Sequence, residues 1–560
     1  MLINTGIIVY SCCRNIEKYI SGFKSNVTQI VNLFAKHKII LIENDSTDNT
    51  LMFLNEWSIE NKNVQVISHK NIDSKFPERT KRIAFCRNIA LKTIKSLPDL
   101  VDYKYTLVLD SDDVCSTNNF SIKGFLTNFN TNEEWDVICG NQIGKYYDIY
   151  ALRNNNCKYD CWLQVSRYMR QIGQNNALVK YIASHQKEII GNNLIPIDSA
   201  FSGAALYKTN ILLKGVYIGE LDNKPICEHV TFHNFLKKYN AKIFINPQFI
   251  TGITPSEHII KNTHIPITEN DCKYICSRGI VKNCFARNKF LQSSSPYIDN
   301  DIFYDIYEGA SIYICTAALP NFVINFLPKL QHKIILITGD SDDCIPELSF
   351  ELTNILLNSK YIIHWFAQNC TMENNKITRL PIGMDYHTMF DRKMEWGPQM
   401  TPIGQELNIE QLRQTMKPFY ERQIKCYSNY HFHLERGDRK ECFTNVPKEL
   451  VYFENNLVER NISHKKQLEY AFVLSPFGCG YDCHRTWEAL VLGCIPIIKH
   501  SGLDKLFDEL PVLLIDKWSD VTEERLIITV EKYKNTVWNY NKLTQSYWIN
   551  LIKSYSSCIQ

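Results

Sequence analysis

Asp110-Ser111-Asp112-Asp113 stands directly behind the apolar run Val108-Leu109. Alternate residues at the end of a strand point to one place, and hard carboxylate oxygens there suit Mg2+ or Mn2+ bridging a diphosphate. Asp110 and Asp112 form a D-x-D pair, and Asp113 beside them leaves open which two of the three carboxylates take the metal. Acidic turn residues are common after strands, so the pair draws its meaning from context. Upstream, Glu43-Asn44-Asp45-Ser46-Thr47-Asp48 follows another apolar run, where Glu43 or Asp45 could accept a ribose hydroxyl or a base N–H. Arg79 and Arg82 share one face of the next helix and could grip phosphate oxygens; the plain alternative is a solvated basic face. Ser11 and Arg14, after the first apolar run, complete this polar set.

The most specific segment lies near the other end, from Phe472 to Leu490. An apolar strand stops at Pro476, Gly478 and Gly480 let backbone approach a ligand closely, and a helix begins near Asp482. His484 and Arg485 open that helix and suit a diphosphate, and Glu488, one turn beyond Arg485, could reach a ribose hydroxyl. Arg436 and Arg439 follow the strand Gln423–Ser428 and could add phosphate contacts. Asp342, Asp385 and His387 each follow an apolar run and are candidates for a general acid or base.

These groups meet only if strands and helices alternate so that strand ends share an edge. The first hundred residues do alternate, predicting strands Ile7–Tyr10, Lys38–Glu43, Val64–Ser68 and Tyr105–Leu109, with helices Ile16–Ala35, Thr50–Asn61 and Glu78–Ser96. Ligands of an open α/β sheet sit at the carboxyl ends of its strands, where Ser11, Glu43 and Asp110 fall. Periodicity weakens from Asn262 to about Tyr297, and Ser293-Ser294-Ser295-Pro296 predicts a linker there. A second alternating pattern follows. Strands are expected at Ser311–Cys315, Lys333–Ile337, Tyr361–His364 and Ile377–Leu380, then a helical bridge at Asn408–Arg422. Further strands are expected at Gln423–Ser428, Ala471–Ser475, Cys494–Ile498 and Val512–Ile515.

The chain has 560 residues, 45% apolar and 22% charged, too long for one hydrophobic core. Its 62 basic and 59 acidic residues give a net charge of +3, which offers no general attraction to nucleic acid or an anionic membrane. The opening MLINTGIIVYSCC lacks the basic and long apolar regions of a secretory leader. Ala489–Ile498, the longest apolar stretch, falls short of the roughly 18 residues of a membrane helix. A cytoplasmic protein with reduced thiols is expected, its 20 cysteines packed or incidental rather than paired.

In their order, ENDSTDNT, RIAFCRNIAL and VLDSDDV resemble GT-A glycosyltransferases, in particular the group that includes fungal capsule-associated mannosyltransferases, over roughly residues 5–255. The resemblance implies one nucleotide-binding α/β domain, a nucleotide-sugar donor, and Mn2+ or Mg2+ on Asp110 and Asp112. The run Ile197–Ala204, with Asp198, resembles the acceptor-side loop of such enzymes. Cys227-Glu228-His229-Val230 resembles the segment that carries a late acid or metal-binding histidine. Glu228 would then be a general base if the enzyme inverts, and His229, on one helix face with His233, could complete the metal shell.

The Phe472–Leu490 passage, continued by Leu492-Gly493-Cys494-Ile495-Pro496-Ile497-Ile498, resembles the exostosin family of GT-B glycosyltransferases over about residues 300–535. Softer matches are Phe326–Leu330, Leu336–Asp340, His364–Asn369 and Leu380–His387. In that family the motif implies donor binding by the second lobe, without a D-x-D metal. The expected fold class is therefore α/β: a GT-A domain over 1–262, a linker over 263–297, and GT-B lobes over 298–405 for the acceptor and 406–560 for the donor. The expected function is a bifunctional glycosyltransferase passing sugars from UDP- or GDP-sugars to a glycan acceptor. One active domain with a degenerate glycan-binding or scaffold module stays open as the alternative, as does a nucleotide-sugar processing enzyme. The Asn-, Ile- and Lys-rich, anchorless chain is similar in character to glycosylation enzymes of large DNA viruses.

Overall fold

The computed structural model describes residues 3–261, 263–392 and 396–557. Two compact units are present: one runs to Arg167 and includes Gln174–His264, and the other comprises Tyr168–Gly173 and everything from Ile265 on.

The first unit is built on one sheet. Its strands are β1 (Ile3–Cys13), β2 (Phe34–Asn44), β3 (Val64–His69), β4 (Tyr103–Leu109), β5 (Val137–Ile143), β6 (Ile195–Pro196), β7 (Ala204–Lys208) and β10 (Ile243–Ile253), in the order β3-β2-β1-β4-β7-β5-β10-β6; Glu220–Leu221 (β8) and Lys224–Pro225 (β9) form a separate hairpin. Strands β3, β2, β1 and β4 are parallel, and β7 enters antiparallel between β4 and β5. Ile7 to Tyr10 are buried on both faces, as a central parallel strand demands. On one face Phe23, Val27 and Ile30 of the helix Ile20–Val31 pack at helical spacing into the core. Strand order reverses at β1, which pairs with β2 on one side and β4 on the other. The crevice at that reversal is bounded by the ends of β1 and β4, which carry Ser11 to Arg14 and Asp110 to Asp113.

One prediction here needs correction. The helix expected to run to Ala35 ends at Val31, and β2 starts at Phe34 instead of Lys38. Phe34 lies opposite Ile3 in the β1–β2 ladder, so strand pairing extends through the half-exposed Ala35–Lys38 that carries no apolar alternation.

The second unit holds two wholly parallel sheets. The first has β11 (Ala310–Cys315), β12 (Ile334–Gly339), β13 (Ile362–Gln368) and β14 (Ile377–Leu380) in sequence order. The second has β15 (Gln423–Ser428), β16 (Val451–Phe453), β17 (Tyr470–Leu474), β18 (Ile495–Lys499) and β19 (Leu513–Ile515), in the order β16-β15-β17-β18-β19. The helix between them spans Pro402–Thr415, earlier than expected. Thr401 caps it with Pro402 in its first turn, and Pro418 ends the helical run. The final helix, Gln545–Ser557, returns to the first sheet, where Tyr555 stacks on His364 at 4.0 Å between ring centroids.

Residues 263–297, expected as a linker, contain the helix Ser277–Asn283. Tyr274, Ile275, Ile280 and Val281 are buried in the second unit's core beside Cys272, Cys276 and Cys284, which act as small apolar side chains. Lys282, inward on that helix, forms a buried ion pair with Glu269. Polar residues and cysteines hide this core segment from a search for apolar periodicity.

Candidate functional site

At the first unit's crevice, Asp110 N–H donates to Gly203 O at 2.7 Å, and Ser111 Oγ donates to Cys12 O at 3.0 Å. The acidic loop is thereby pinned to β1. Arg87 Nη2 lies 3.4 Å from Asp110 Oδ1 and Arg87 Nε lies 3.1 Å from Glu228 Oε1, so one buried guanidinium joins the two carboxylates. Phe201 and Tyr217 flank that guanidinium, with ring centroids 5.0 and 5.7 Å away. Shelter from solvent, then repulsion from Asp112, pushes the Asp110 carboxyl up to about 8, with Asp148 and Glu228 adding and Arg87 opposing. Loss of hydration in the crowded loop, then repulsion from Asp113, raises Asp112, and loss of hydration raises Asp148.

Two members of this group escaped sequence reasoning. Asp148 lies in a loop without a motif. Arg87 stands within RIAFCRNIAL, on the buried face with Ala84, Leu91 and Ile94 of the helix Arg79–Lys95. An arginine on an apolar stripe was the available signal.

Other expected residues do different work. Arg14 Nη1 donates to Asp73 Oδ1 at 2.7 Å, and Arg82 Nε lies 3.2 Å from the same oxygen. Arg82 also donates to Phe76 O and Pro77 O, while Arg79 is exposed. Glu43 accepts from Ser46 N–H and Ser68 Oγ. Asp45, at φ +48°, accepts three backbone N–H groups, of Asn71, Ile72 and Asp73, which outweigh its desolvation and hold its carboxyl low. These two acids shape the loops they begin. Ser11 Oγ is buried and without a partner among the described residues. Asp198 pairs with Lys237 at the surface.

His229 is buried and stacks on Phe201 at 3.7 Å between centroids, with neither ring nitrogen bonded among the described residues. Burial, then the Arg87 charge, holds it neutral. His233, one turn on, is bonded to Ser199 Oγ at 3.0 Å and Tyr207 Oη at 2.8 Å, and burial lowers it to about 3. No three His, Cys, Asp or Glu side chains among the described residues are arranged to hold a metal ion by themselves. Asp110 and Asp112 still fit one in chemistry: both are oxygen donors whose mutual repulsion a divalent cation would relieve.

The second unit contains a cleft of about 450 Å3. Asp342, Asp385, Arg436, Arg439, Gly478, Gly480, His484, Arg485 and Glu488, all expected from sequence, line it. His387 sits behind Asp385, with Nδ1 3.2 Å from Asp385 Oδ1. Arg485 donates to Pro476 O at 3.1 Å and to Asn429 Oδ1 at 3.3 Å, and lies 5.6 Å from the Tyr430 ring. Arg439 Nε is buried without a partner among the described residues. Burial and the neighbouring Arg485 charge lower the Arg439 pKa. A Cβ at Gly480 would lie 2.8 Å from Asn369 Nδ2, so glycine is what lets the loop approach.

The helix here is His484–Val491, with Cys483 as its cap residue rather than Asp482. Asp482 is buried in front of it, accepting from Ile382 N–H at 2.7 Å and Trp487 Nε1–H at 2.8 Å, and burial lifts its carboxyl to about 6. Both Glu488 oxygens, expected to be open to a ribose, are engaged: Oε1 with Arg460 and Oε2 with His464, each at 3.3 Å. Arg460 Nη2 also lies 3.4 Å from Asp385 Oδ2. Burial would raise Asp385, but His484, His387 and Arg460 outweigh it and keep it ionised. Arg460 and His464, four apart on the helix Arg460–Gln467, form the i,i+4 pair that sequence reasoning missed.

Residues 7–240 match the family model described as cryptococcal mannosyltransferase 1, so the first unit resembles a GT-A glycosyltransferase. No curated protein matches the chain. Among solved structures, S. aureus TarS 1–349 is 16% identical at a TM-score of 0.25, covering 45% of this chain and 61% of its own. The same protein with UDP-GlcNAc is 16% identical at a TM-score of 0.26, covering 48% and 63%. Glucosyl-3-phosphoglycerate synthase from Mycobacterium tuberculosis with Mn2+, UDP and phosphoglyceric acid is 12% identical at 0.24, covering 44% and 69%. The chain thus spans about 61% of the first of these.

Proposed function

We propose that the chain is a glycosyltransferase with two sites, each taking a UDP- or GDP-sugar and passing the sugar to a glycan. The observation that carries the reading for the second unit is the pairing of Arg439 and Arg485 in its cleft, two adjacent guanidinium groups with no carboxylate partner among the described residues. Like charges held together in a partly dry cleft are suited to a diphosphate, whose leaving charge they would neutralise without a metal. Arg436 at the rim adds to that charge. Asp385 and Asp342 also line the cleft, where a carboxylate could contact an acceptor hydroxyl.

For the first unit the family match and the carboxylates at the strand-order reversal support a donor site. Mn2+ or Mg2+ held by Asp110 and Asp112 would supply charge neutralisation to the leaving diphosphate. Arg87 orients Asp110, and Glu228, bonded to the same guanidinium, is the general base of this site. The alternative of one active domain and one glycan-binding module finds support in the saturation of Arg14 and Arg82 by Asp73. No helix among the described residues is long and apolar enough to cross a membrane, and the described cysteines are free thiols. A cytoplasmic site of action and the kinship with enzymes of large DNA viruses belong to this same reading.

Titration of the full chain with UDP and GDP tests it. Two binding events are expected, one lost in R485A and the other in D110N/D112N; a single event insensitive to R485A contradicts the assignment of the cleft.

A further inference from the structure

We propose that His484 is the proton acceptor for sugar transfer in the second unit's cleft, an inference that rests on the donor reading of that cleft. His484 lines this cleft together with two basic residues, Arg439 and Arg485, and two acidic ones, Asp342 and Asp385. A diphosphate held by Arg485, the next residue on the same helix, would bring its sugar into the cleft that His484 lines.

The tautomer follows from one hydrogen bond. His484 Nδ1 lies 2.7 Å from Gly383 O, and a carbonyl oxygen only accepts, so Nδ1 carries the proton and Nε2 keeps its lone pair. The carbonyl is fixed in place. Gly383 has φ +69°, and a Cβ there would meet Ile275 O at 2.1 Å, so the turn admits only glycine. Ser277 N–H to Ile382 O at 3.0 Å and Met384 N–H to Ile275 O at 2.7 Å hold the same turn.

Several charged groups surround the ring. Asp385 and His387 face His484 from the segment after β14, Asp482 from its own loop, and Arg460 acts through Asp385. Asp385 is a poor base itself, because Oδ1 accepts from Thr388 N–H at 3.0 Å and Oδ2 faces Arg460. It serves as the fixed anion beside an imidazolium. Asp342 is exposed, with no hydrogen bond to its carboxylate among the described residues to orient it.

In the step, the acceptor hydroxyl proton moves to Nε2 as its oxygen bonds to the anomeric carbon. The carbon–oxygen bond to the diphosphate breaks, and its electron pair stays on the diphosphate oxygen facing Arg439 and Arg485. A single displacement of this kind inverts the configuration at the anomeric carbon.

The test uses the full chain and the variant H484N, whose amide keeps a donor for Gly383 O but lacks an Nε2 equivalent. UDP and GDP affinity at the cleft, defined as the binding lost in R485A, is measured by calorimetry beside kcat and KM for transfer. Affinity and KM are expected to stay at wild-type values while kcat falls about 100-fold or more, and H484Q should show the same split. Wild-type kcat in H484N, or affinity falling in step with kcat, would each overturn the inference. If R485A removes no nucleotide binding, the donor reading of the cleft fails first and this inference falls with it.

Discussion

Arg460 and Glu488 form a largely buried ion pair at the second unit's cleft, 3.3 Å apart with side chains 12% and 15% exposed. The same guanidinium lies 3.4 Å from Asp385, so one residue outside the Phe472–Leu490 motif restrains two acids of the cleft. Removing it leaves both carboxylates buried without their cation. R460A is therefore expected to destabilise the second unit by about 3–5 kcal/mol, with R460K recovering part of the loss. Denaturant unfolding of the full chain, followed by tryptophan fluorescence, measures this; a change under about 1 kcal/mol would refute the pairing as a restraint.

Acid sensitivity of the second unit follows from the same pair. Burial alone would raise Glu488, yet Arg460 and His464 outweigh it and bring the carboxyl from an ordinary 4.5 to about 2. A carboxyl lowered on folding contributes stability that is complete above its unfolded pKa and is lost as pH falls through the folded one. The stability gap between wild type and E488Q should accordingly be constant above about pH 5 and shrink between about pH 5 and 2. A gap that widens on acidification contradicts the direction of the shift.

Arg87 plays the corresponding part in the first unit, bonded to both Asp110 and Glu228. R87M should lower transfer at that site by about 10–100-fold, the usual loss when a residue orienting a ligand is removed, and leave transfer at the second site intact. Assays with donors specific to each site separate the two, and equal loss at both would argue against a local role.

Gly480→Ala tests the close approach of the glycine loop. The added methyl would sit 2.8 Å from Asn369 Nδ2, and overpacking of this kind costs about 1–3 kcal/mol. Nucleotide affinity at the cleft should weaken while secondary structure, read by circular dichroism, is retained.

Much of the fold was legible because buried parallel strands are unbroken apolar runs; Ile377–Leu380 and Gln423–Ser428 match their predicted bounds to the residue. What was hidden depends on pairing between distant segments. Phe34 begins β2 because Ile3 lies opposite it, and Cys272 to Cys284, inside the 263–297 range, is core because its cysteines and Tyr274 pack where apolar periodicity shows nothing. The cleft residues were legible for a different reason: Gly478, Gly480, Arg485 and Glu488 sit in one short motif, while Asp342 and Asp385 mark loops that follow strands. Arg460 and Asp148 had no such frame, and Arg87, inside RIAFCRNIAL, was marked only by its place on an apolar stripe. Arg14 follows the first strand and Arg82 lies in the first turn of a helix, and only their shared partner Asp73 distinguishes them from phosphate ligands.

The central claim, two separate transfer sites on one chain, is tested most directly by assaying both sugar transfers in D110N/D112N and in R485A. The first pair of substitutions should abolish only the transfer carried by the first unit, and R485A only that carried by the second. Loss of both transfers from either variant, or loss of neither from R485A, would contradict the two-site account.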